Sequence, residues 1–432
     1  MLNRVTNPLI LAARAKGRLG LLKRIWTIGR HYGLTSTKMD RALTLFSRVL
    51  HNFDCSATLS IPAKVLERHR ALIREYQEQG IEFALHGYSH VDHSRLSPDD
   101  QLAHLTRARQ IFDSAGIRYS GFRVPYLRWN VGTMTAISQQ CFDYDCSQAL
   151  AWNVFDARDV AAYRVAREFY RAQPAEDYPA LPHMEGRLIR LSYCIPDDEI
   201  LVDRLHLTVS ERISDVWLTM LRQTHELGEV FALGLHPERI ALCEIPLTTV
   251  LTEARSLVPG VWIARLDEIA AWWRARTEAQ ITVSDLGHNM LQLSIDGPPQ
   301  ATVMARSVEV EAPAEPWSDG YRWIKATNFT CCAPVRPFIG IAPGSSPALI
   351  SFLKQQGYII EVSAQNWLYP FYLDCLSFTP EDERPLLTQI ETGHWPLVRL
   401  GRWPAGARSV LSVTGDIDAL TIWDYILRLF SY

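Results

Sequence analysis

Between about residues 35 and 276 the chain alternates amphipathic helices with short apolar strands, and this alternation constrains the fold more than any other feature. Residues 64–79 have the periodicity of a helix, and an apolar run follows at 81–85. The same succession recurs where a helical segment at 210–225 precedes an apolar run at 230–235. Such repeats are typical of parallel strands covered by helices. The sequence therefore predicts an α/β fold, either a parallel (β/α) barrel or a doubly wound sheet.

The pattern changes after Arg276. Residues 281–310 alternate like strands, and 349–362 read as a helix followed by a strand. These segments predict a smaller, β-rich α+β accessory region. The predicted domain boundaries are, in chain order, a basic helical extension at 1–34, the main part of the α/β domain at 35–277, the accessory region at 278–400, and a final strand and helix at 401–432.

Charge and hydrophobicity exclude several functional classes. The formal net charge of −3 favours neither nucleic acid nor an anionic membrane surface as a partner. No apolar run approaches the ~20 residues that a membrane-spanning helix needs. The eight cysteines form no CxxC pair, and no secretion signal is recognisable, so we predict a cytoplasmic protein with reduced thiols. The basic residues of 1–33 leave a peripheral membrane location as the alternative, and the oligomeric state is left open.

Two histidines directly follow the apolar run at 81–85. In the segment Leu85-His86-Gly87-Tyr88-Ser89-His90 the two imidazoles are four residues apart, so at the start of a helix they face the same way and can hold one metal ion. Gly87 stands where the HExxH zinc motif carries its general base, so a base must come from elsewhere in the chain. The alternative interpretation is two surface histidines at a helix start.

An aspartate pair follows the predicted strand at 409–413. Asp416 and Asp418 lie at its carboxyl end, the usual location of sites on parallel sheets, and this position suggests metal binding and base catalysis. Turns and helix caps are rich in aspartate. The alternative is therefore an ordinary cap for the helix expected at 420–430.

Two further polar residues end predicted strands. Arg123, in Gly121-Phe122-Arg123-Val124-Pro125-Tyr126, could hold a carboxylate bidentately. His236 ends the apolar run at 230–235 and, taken singly, reads as a buried core histidine. Together with the histidine and aspartate pairs, these residues predict one site at the carboxyl ends of the strands.

Three of these motifs, in chain order, resemble those of polysaccharide deacetylases, the NodB homology group of carbohydrate esterase family 4. The motifs are His86 to His90, Arg123 to Tyr126, and Leu235-His236-Pro237, and the resemblance covers about 35–275. It implies an irregular parallel (β/α) barrel of the NodB type, a hydrolase activity on acetyl groups, and a carbohydrate substrate.

One departure from that family concerns its first motif, an aspartate pair on the first strand. Asp40 is the first aspartate of the chain, whereas residues 403–418 resemble the family's approach to that strand in its D-x-D variant. We infer a circular permutation, in which residues 401–432 supply the first strand and helix and complete the barrel.

The resemblance implies a role for each residue of the metal site. Asp418, His86 and His90 would bind a divalent metal, with zinc preferred and cobalt, nickel and manganese as alternatives. Asp416 would be the catalytic base, oriented and kept ionised by Arg123.

The remaining roles concern the acyl oxygen and the leaving group. The backbone N–H of Tyr126 would be an oxyanion donor. His236 would be the general acid, tuned by a neighbouring carboxylate from Asp198 or Asp145, and Trp152 would line the acetate pocket.

The sequence thus predicts a metal-dependent hydrolase whose partner is an N- or O-acetylated glycan or sugar precursor. Two alternatives remain open. One is C–N hydrolysis of a small cyclic amide on the same barrel, which a closed pocket would favour over an open groove. The other is a non-catalytic glycan-binding or scaffold protein, which requires the C-terminal strand to lie away from the histidines.

Overall fold

The computed structural model describes residues 29, 32–155 and 160–428. The extension predicted at 1–34 therefore falls almost entirely outside the described residues. The strands of the first part, in chain order, are β1 Ala57–Ile61, β2 Glu82–Leu85, β3 Gly121–Phe122, β4 Tyr144–Ala151, β5 Gln173–Pro174, β6 His183–Glu185, β7 Leu188–Ile195, β8 Val230–Gly234 and β9 Val261–Ile263. Those that follow are β10 Gln280–Gly287, β11 Met290–Asp296, β12 Val303–Arg306, β13 Glu309–Glu311, β14 Ala314–Pro316, β15 Tyr321–Ile324, β16 Asn328–Cys332, β17 Ile339–Ile341, β18 Ile360–Val362, β19 Phe371–Leu373, β20 Leu397–Leu400 and β21 Ser409–Asp416.

Helices lie between most of these strands. In chain order they are α1 Thr37–His51, α2 Ala63–Arg68, α3 Arg70–Glu78, α4 Pro98–Ala115, α5 Val131–Gln139, α6 Val160–Tyr170, α7 Ser210–Leu227, α8 Ile240–Ser256, α9 Leu266–Thr277, α10 Pro347–Gln355, α11 Pro380–Thr392 and α12 Ile422–Arg428. Short single turns, named below where they matter, connect other segments. No helix in the described part of the chain is long and apolar enough to cross a membrane.

Seven of these strands form a closed parallel barrel. The order around the barrel is β4, β3, β2, β1, β21, β8 and β7, and β7 pairs in parallel with β4 to close the ring. The strands β1, β2 and β8 are buried along their whole length, as expected for parallel strands that have side chains inside the barrel and helices outside. The predicted α/β barrel is confirmed, and the closing pair β4–β7 excludes the open, doubly wound alternative.

The accessory region consists of three small sheets. Their strand orders are β10-β11-β16-β13, β14-β15-β12-β20 and β18-β17-β19. The first two sheets are antiparallel. The third is parallel, and α10 connects its strands β17 and β18. This arrangement agrees with the β-rich α+β texture predicted for the region.

Strand β21, which is remote in sequence from the other barrel strands, lies between β1 and β8. Ala57 is opposite Val413 and Ser60 is opposite Asp416, while Thr414 is opposite Gly234 on the other side. Gly415 permits this close packing, because a Cβ atom there would lie 2.0 Å from the Leu235 carbonyl oxygen. The carboxyl end of β21 therefore lies at the same rim as the ends of its neighbours.

Candidate metal and catalytic site

Each polar motif lies where a barrel strand ends. His86 follows β2, Arg123 follows β3, His236 follows β8 after one residue, and Asp416 is the last residue of β21. Because all these strands are parallel, their carboxyl ends meet at one rim of the barrel. The barrel therefore brings together four motifs that are up to 330 positions apart in sequence.

Three side chains at this rim converge as metal ligands do. The ligand atoms of His86, His90 and Asp418 all lie within 4.8 Å of one another. The Asp418 Oδ1 atom is 3.1 Å from His90 Nε2 and 3.8 Å from His86 Nε2. His86 Nε2 and Asp418 Oδ1 are buried without a hydrogen-bond partner. Two imidazole nitrogens and one carboxylate oxygen, two of which have no hydrogen-bond partner, fit a divalent cation such as zinc.

The histidines are held by a loop and not by a helix. The helix expected at His86 to His90 is absent because Gly87 has a φ of +76°, outside the helical range, and the first helical residues after β2 are the turn His93–Arg95. The loop still brings the two rings to a centroid separation of 5.0 Å. His86 Nδ1 donates to the Arg123 carbonyl at 2.8 Å, so Nε2 carries the lone pair. Burial lowers the pKa of His86, which favours the neutral, ligating ring.

The aspartates do not cap the following helix. The first backbone amides there, of Leu420 and Thr421, donate instead to the Asp424 carboxylate, which also accepts from the Thr421 hydroxyl. The Asp416 and Asp418 side chains face the histidines instead, with Asp416 Oδ2 3.7 Å from His86 Nε2. The alternative interpretation of this pair as a helix cap is wrong.

Arg123 forms an ion pair with Asp416. Its Nη1 donates to Asp416 Oδ1 at 2.9 Å, and its Nη2 donates to the Thr414 hydroxyl at 2.7 Å. The expected bidentate contact is therefore a single hydrogen bond, because the second nitrogen is taken by Thr414. Arg123 is 1% exposed, and its Nε donates to the Cys146 carbonyl. Burial raises the pKa of Asp416, but the neighbouring His86 ring and Arg123 guanidinium outweigh burial and hold it below its ordinary value.

His236 is paired with Asp198. His236 Nδ1 is 2.7 Å from Asp198 Oδ1, and the His236 backbone N–H donates to Asp198 Oδ2 at 2.9 Å. Burial lowers the pKa of His236, but the Asp198 carboxylate more than compensates and raises it well above its ordinary value. A protonated imidazole at the rim can donate a proton to a leaving group.

Of the two carboxylates considered, Asp198 contacts His236 and Asp145 contacts other residues. The described partners of Asp145 are the Ser147 hydroxyl and Arg190, whose Nε lies 2.9 Å from Asp145 Oδ2. Arg190 is the register partner of Asp145 on the adjacent strand β7, which explains why it takes this carboxylate.

Tyr126 and Trp152 lie near the rim in different settings. Tyr126 has a φ of +60° within the turn Pro125–Leu127, a conformation that is rare for a residue with a side chain and frequent at functional sites. Its ring packs edge-on against His90 with centroids 4.3 Å apart. Trp152 directly follows β4 and is 3% exposed, with its backbone N–H donating to Ile195. The roles of both residues stay predictions.

Two residues near the site had no role assigned from the sequence. Asp197 joins Asp198 and His236 in a second cluster whose ligand atoms lie within 4.8 Å, and Tyr193 donates to Asp197 at 3.0 Å. The segment Pro196-Asp197-Asp198 resembles a paired-aspartate segment of some deacetylases, and this was the available signal for Asp197. Arg428 donates to Asp418 Oδ2 at 2.7 Å. No local motif marks this arginine, because its position depends on how α12 packs over the rim.

Comparison with known proteins finds similarity over part of the chain. A family model described as polysaccharide deacetylase matches residues 39–144, which include both histidines, Arg123 and Tyr126. The peptidoglycan deacetylase-like protein FGM2 of Gibberella zeae is 33% identical over 91 residues, or 21% of this chain and 27% of that protein. The chain thus matches about a quarter of that relative's length.

The solved structures that match the chain are more distant from it in sequence. PuuE allantoinase is 18% identical to this chain, with a TM-score of 0.43, and the match covers 54% of this chain and 72% of the allantoinase. A Mycobacterium smegmatis protein described as a polysaccharide deacetylase is 20% identical, with a TM-score of 0.43, and the match covers 64% of this chain and 92% of that protein. A Pseudomonas aeruginosa PAO1 protein described in the same way is 19% identical with a TM-score of 0.41, covering 55% and 73%.

Proposed function

We propose that this chain is a metal-dependent deacetylase that removes acetyl groups from an N- or O-acetylated sugar or polysaccharide. The observation that carries the proposal is the convergence at one rim of a His-His-Asp ligand set, an Arg123–Asp416 pair and a His236–Asp198 pair. Such a site combines a candidate metal, base and acid, which amide or ester hydrolysis requires. The match of residues 39–144 to polysaccharide deacetylases supports the acetyl group as substrate.

The chain order of the barrel strands extends this proposal. Strand β21 carries the aspartate pair and pairs with β1, yet it follows β8 and the accessory region in sequence. We propose that β21 is equivalent to the first strand of the deacetylase family and that the chain is circularly permuted. With this interpretation, the accessory region is an insertion between residues 277 and 401, after which the chain returns to the barrel as β21.

His86, His90 and Asp418 would hold the metal, which when bound would polarise the acetyl carbonyl and acidify a water molecule. Asp416 accepts a proton as the water oxygen adds to the acetyl carbon, and Arg123 orients that carboxylate. The protonated His236 then gives a proton to the departing nitrogen or oxygen, while the carbon–nitrogen or carbon–oxygen bond breaks. The products are acetate and a free amine or hydroxyl. The Tyr126 N–H would stabilise the negative charge on the acyl oxygen, and Trp152 would line the space for the acetyl methyl.

Acetate release from a panel of acetylated oligosaccharides tests the proposal. Zinc-loaded wild-type protein should release acetate, and the His236→Ala variant should retain its metal but lose about 10²-fold or more in kcat, because the acid is gone. A matched control is His206→Ala, since His206 is exposed. Turnover of His236→Ala within a few-fold of wild type would remove His236 from the mechanism. Absence of acetate release from every acetylated glycan, with ring opening of a cyclic amide instead, would favour the alternative hydrolase.

The scaffold alternative has a geometric condition that can be examined directly. It requires the C-terminal strand to lie away from the histidines. Strand β21 instead lies in the middle of the barrel order, and Asp418 is 3.1 Å from His90. This position supports the hydrolase over the scaffold alternative.

A further inference from the structure

Arg428, the last residue of α12, contacts two of the three proposed metal ligands. Its Nη1 donates to Asp418 Oδ2 at 2.7 Å, and its Nη2 lies 2.6 Å from His90 Nδ1 and 3.4 Å from the Tyr126 hydroxyl. The side chain is 13% exposed. None of the roles derived above uses this guanidinium.

The contact with His90 fixes the position of a proton. A guanidinium has only donors, so His90 Nδ1 must accept this hydrogen bond. A neutral imidazole that accepts at Nδ1 carries its proton on Nε2. Nε2 is the atom that faces Asp418 Oδ1, and a protonated nitrogen cannot donate a lone pair to a metal ion.

His86 has the opposite arrangement. Its Nδ1 faces the Arg123 backbone carbonyl, an acceptor, so the proton lies on Nδ1 and Nε2 offers a lone pair. The two histidines of one proposed site thus carry opposite tautomers. His86 is ready to ligate, whereas His90 becomes ready when the Arg428 guanidinium leaves Nδ1.

We propose that Arg428 competes with the divalent cation for His90 and so sets the metal affinity of the site. This inference rests on the proposed function, because it requires a metal at His86, His90 and Asp418. The hydrogen bond from Arg428 to Nδ1 and metal ligation through Nε2 are mutually exclusive, so metal binding displaces the guanidinium from the ring. The bond from Arg428 to Asp418 Oδ2 would persist, because Oδ1 is the Asp418 oxygen that faces the two histidines.

Arg68 provides a matched control, because it also forms an ion pair within the region of α12. Its Nε lies 3.2 Å from Asp424 Oδ1 on α12, and Asp424 is not a proposed ligand. Arg68→Met removes a guanidinium and an ion pair to α12 without touching His90. Arg428→Met and Arg428→Lys change the competitor itself, and lysine keeps the charge without the planar donor pair.

The experiment is a zinc titration of metal-stripped protein against a chelator of known affinity. Arg428→Met should bind zinc about 10–100-fold more tightly than wild type, the usual range for changes around a metal ligand, and Arg428→Lys should be intermediate. Arg68→Met should stay within about twofold. If Arg428→Met fails to fold by circular dichroism, the lysine variant carries the test.

The tautomers give a second readout that is independent of stability. Histidine ¹⁵N NMR of the metal-stripped wild type should show His90 protonated at Nε2 and His86 at Nδ1. Zinc should convert His90 to the Nδ1-protonated form. A wild type that binds zinc as tightly as Arg428→Met, or whose His90 is already protonated at Nδ1, would overturn this inference and leave the metal site intact. Failure of every variant to bind zinc would remove the metal site and this inference with it.

Discussion

At the scale of single residues, the pair of His236 and Asp198 controls when the proposed acid is charged. Asp198 raises the pKa of His236 against the effect of burial, so the ring stays protonated to higher pH than an ordinary histidine. Replacing Asp198 by Asn removes the negative charge while keeping the size of the side chain. The pKa of His236 should then fall, and the alkaline limb of the kcat profile should shift to lower pH.

The pH dependence of acetate release measures this effect. We expect Asp198→Asn to lower kcat at neutral pH by about 10²-fold, the scale of a general-acid contribution. Asp215→Asn, on the exposed face of α7, should leave the profile unchanged. An unshifted alkaline limb in Asp198→Asn would show that this pair does not set the protonation of the acid.

Arg123 carries a stability prediction, because its charge is buried beside one carboxylate. Removing one partner of a buried ion pair costs about 3–5 kcal/mol, since the other charge stays desolvated. We expect Arg123→Leu to lower the free energy of unfolding in urea by about this amount. Arg222→Leu, which breaks an ion pair between partly exposed side chains with Glu253, should cost about 0–1 kcal/mol. Equal costs for the two variants would contradict the account of Arg123.

At the scale of elements, strand β21 determines whether the site exists. The packing of β21 against the end of β8 depends on Gly415, where an added Cβ would lie 2.0 Å from a backbone oxygen. A backbone atom cannot rotate away as a side chain can, so the strand itself would have to move. Asp416 and Asp418 would move with it.

Gly415→Ala should therefore damage both the barrel and the metal site. We expect a loss of about 1–3 kcal/mol in unfolding free energy, the range for overpacking, together with weaker zinc binding. Gly260→Ala is the matched control, because an added Cβ there meets nothing within 4 Å. Gly415→Ala with wild-type stability and zinc affinity would show that β21 tolerates displacement from β8.

At the scale of the whole molecule, the strand–helix alternation predicted parallel strands covered by helices and left a barrel and a doubly wound sheet open, and the family resemblance favoured the barrel. Parallel topology then placed the ends of β2, β3, β8 and β21 at one rim, which is why motifs far apart in sequence could be assigned to one site. What escaped prediction depends on tertiary packing. The return of β7 to β4, past β5 and β6, follows from barrel closure and has no local pattern.

Prediction of the site's details was also limited by tertiary packing and loop conformation. Asp198 contacts His236, whereas Asp145 pairs with Arg190 on β7, a residue with no motif of its own. The loop around His86 was mistaken for a helix start because the spacing of two histidines does not reveal the positive φ of Gly87. Arg428 was missed because only the packing of α12 brings it to His90.

The metal content of purified protein tests the central claim, that β21 brings Asp418 to His86 and His90 to form a metal site. Elemental analysis after dialysis should give about one divalent ion per chain for wild type and for His206→Ala. The ion should be lost from His86→Ala, His90→Ala and Asp418→Asn, because a catalytic zinc site needs three protein ligands. Full metal occupancy in the His86→Ala, His90→Ala double variant, or no bound metal in the wild type, would contradict the account.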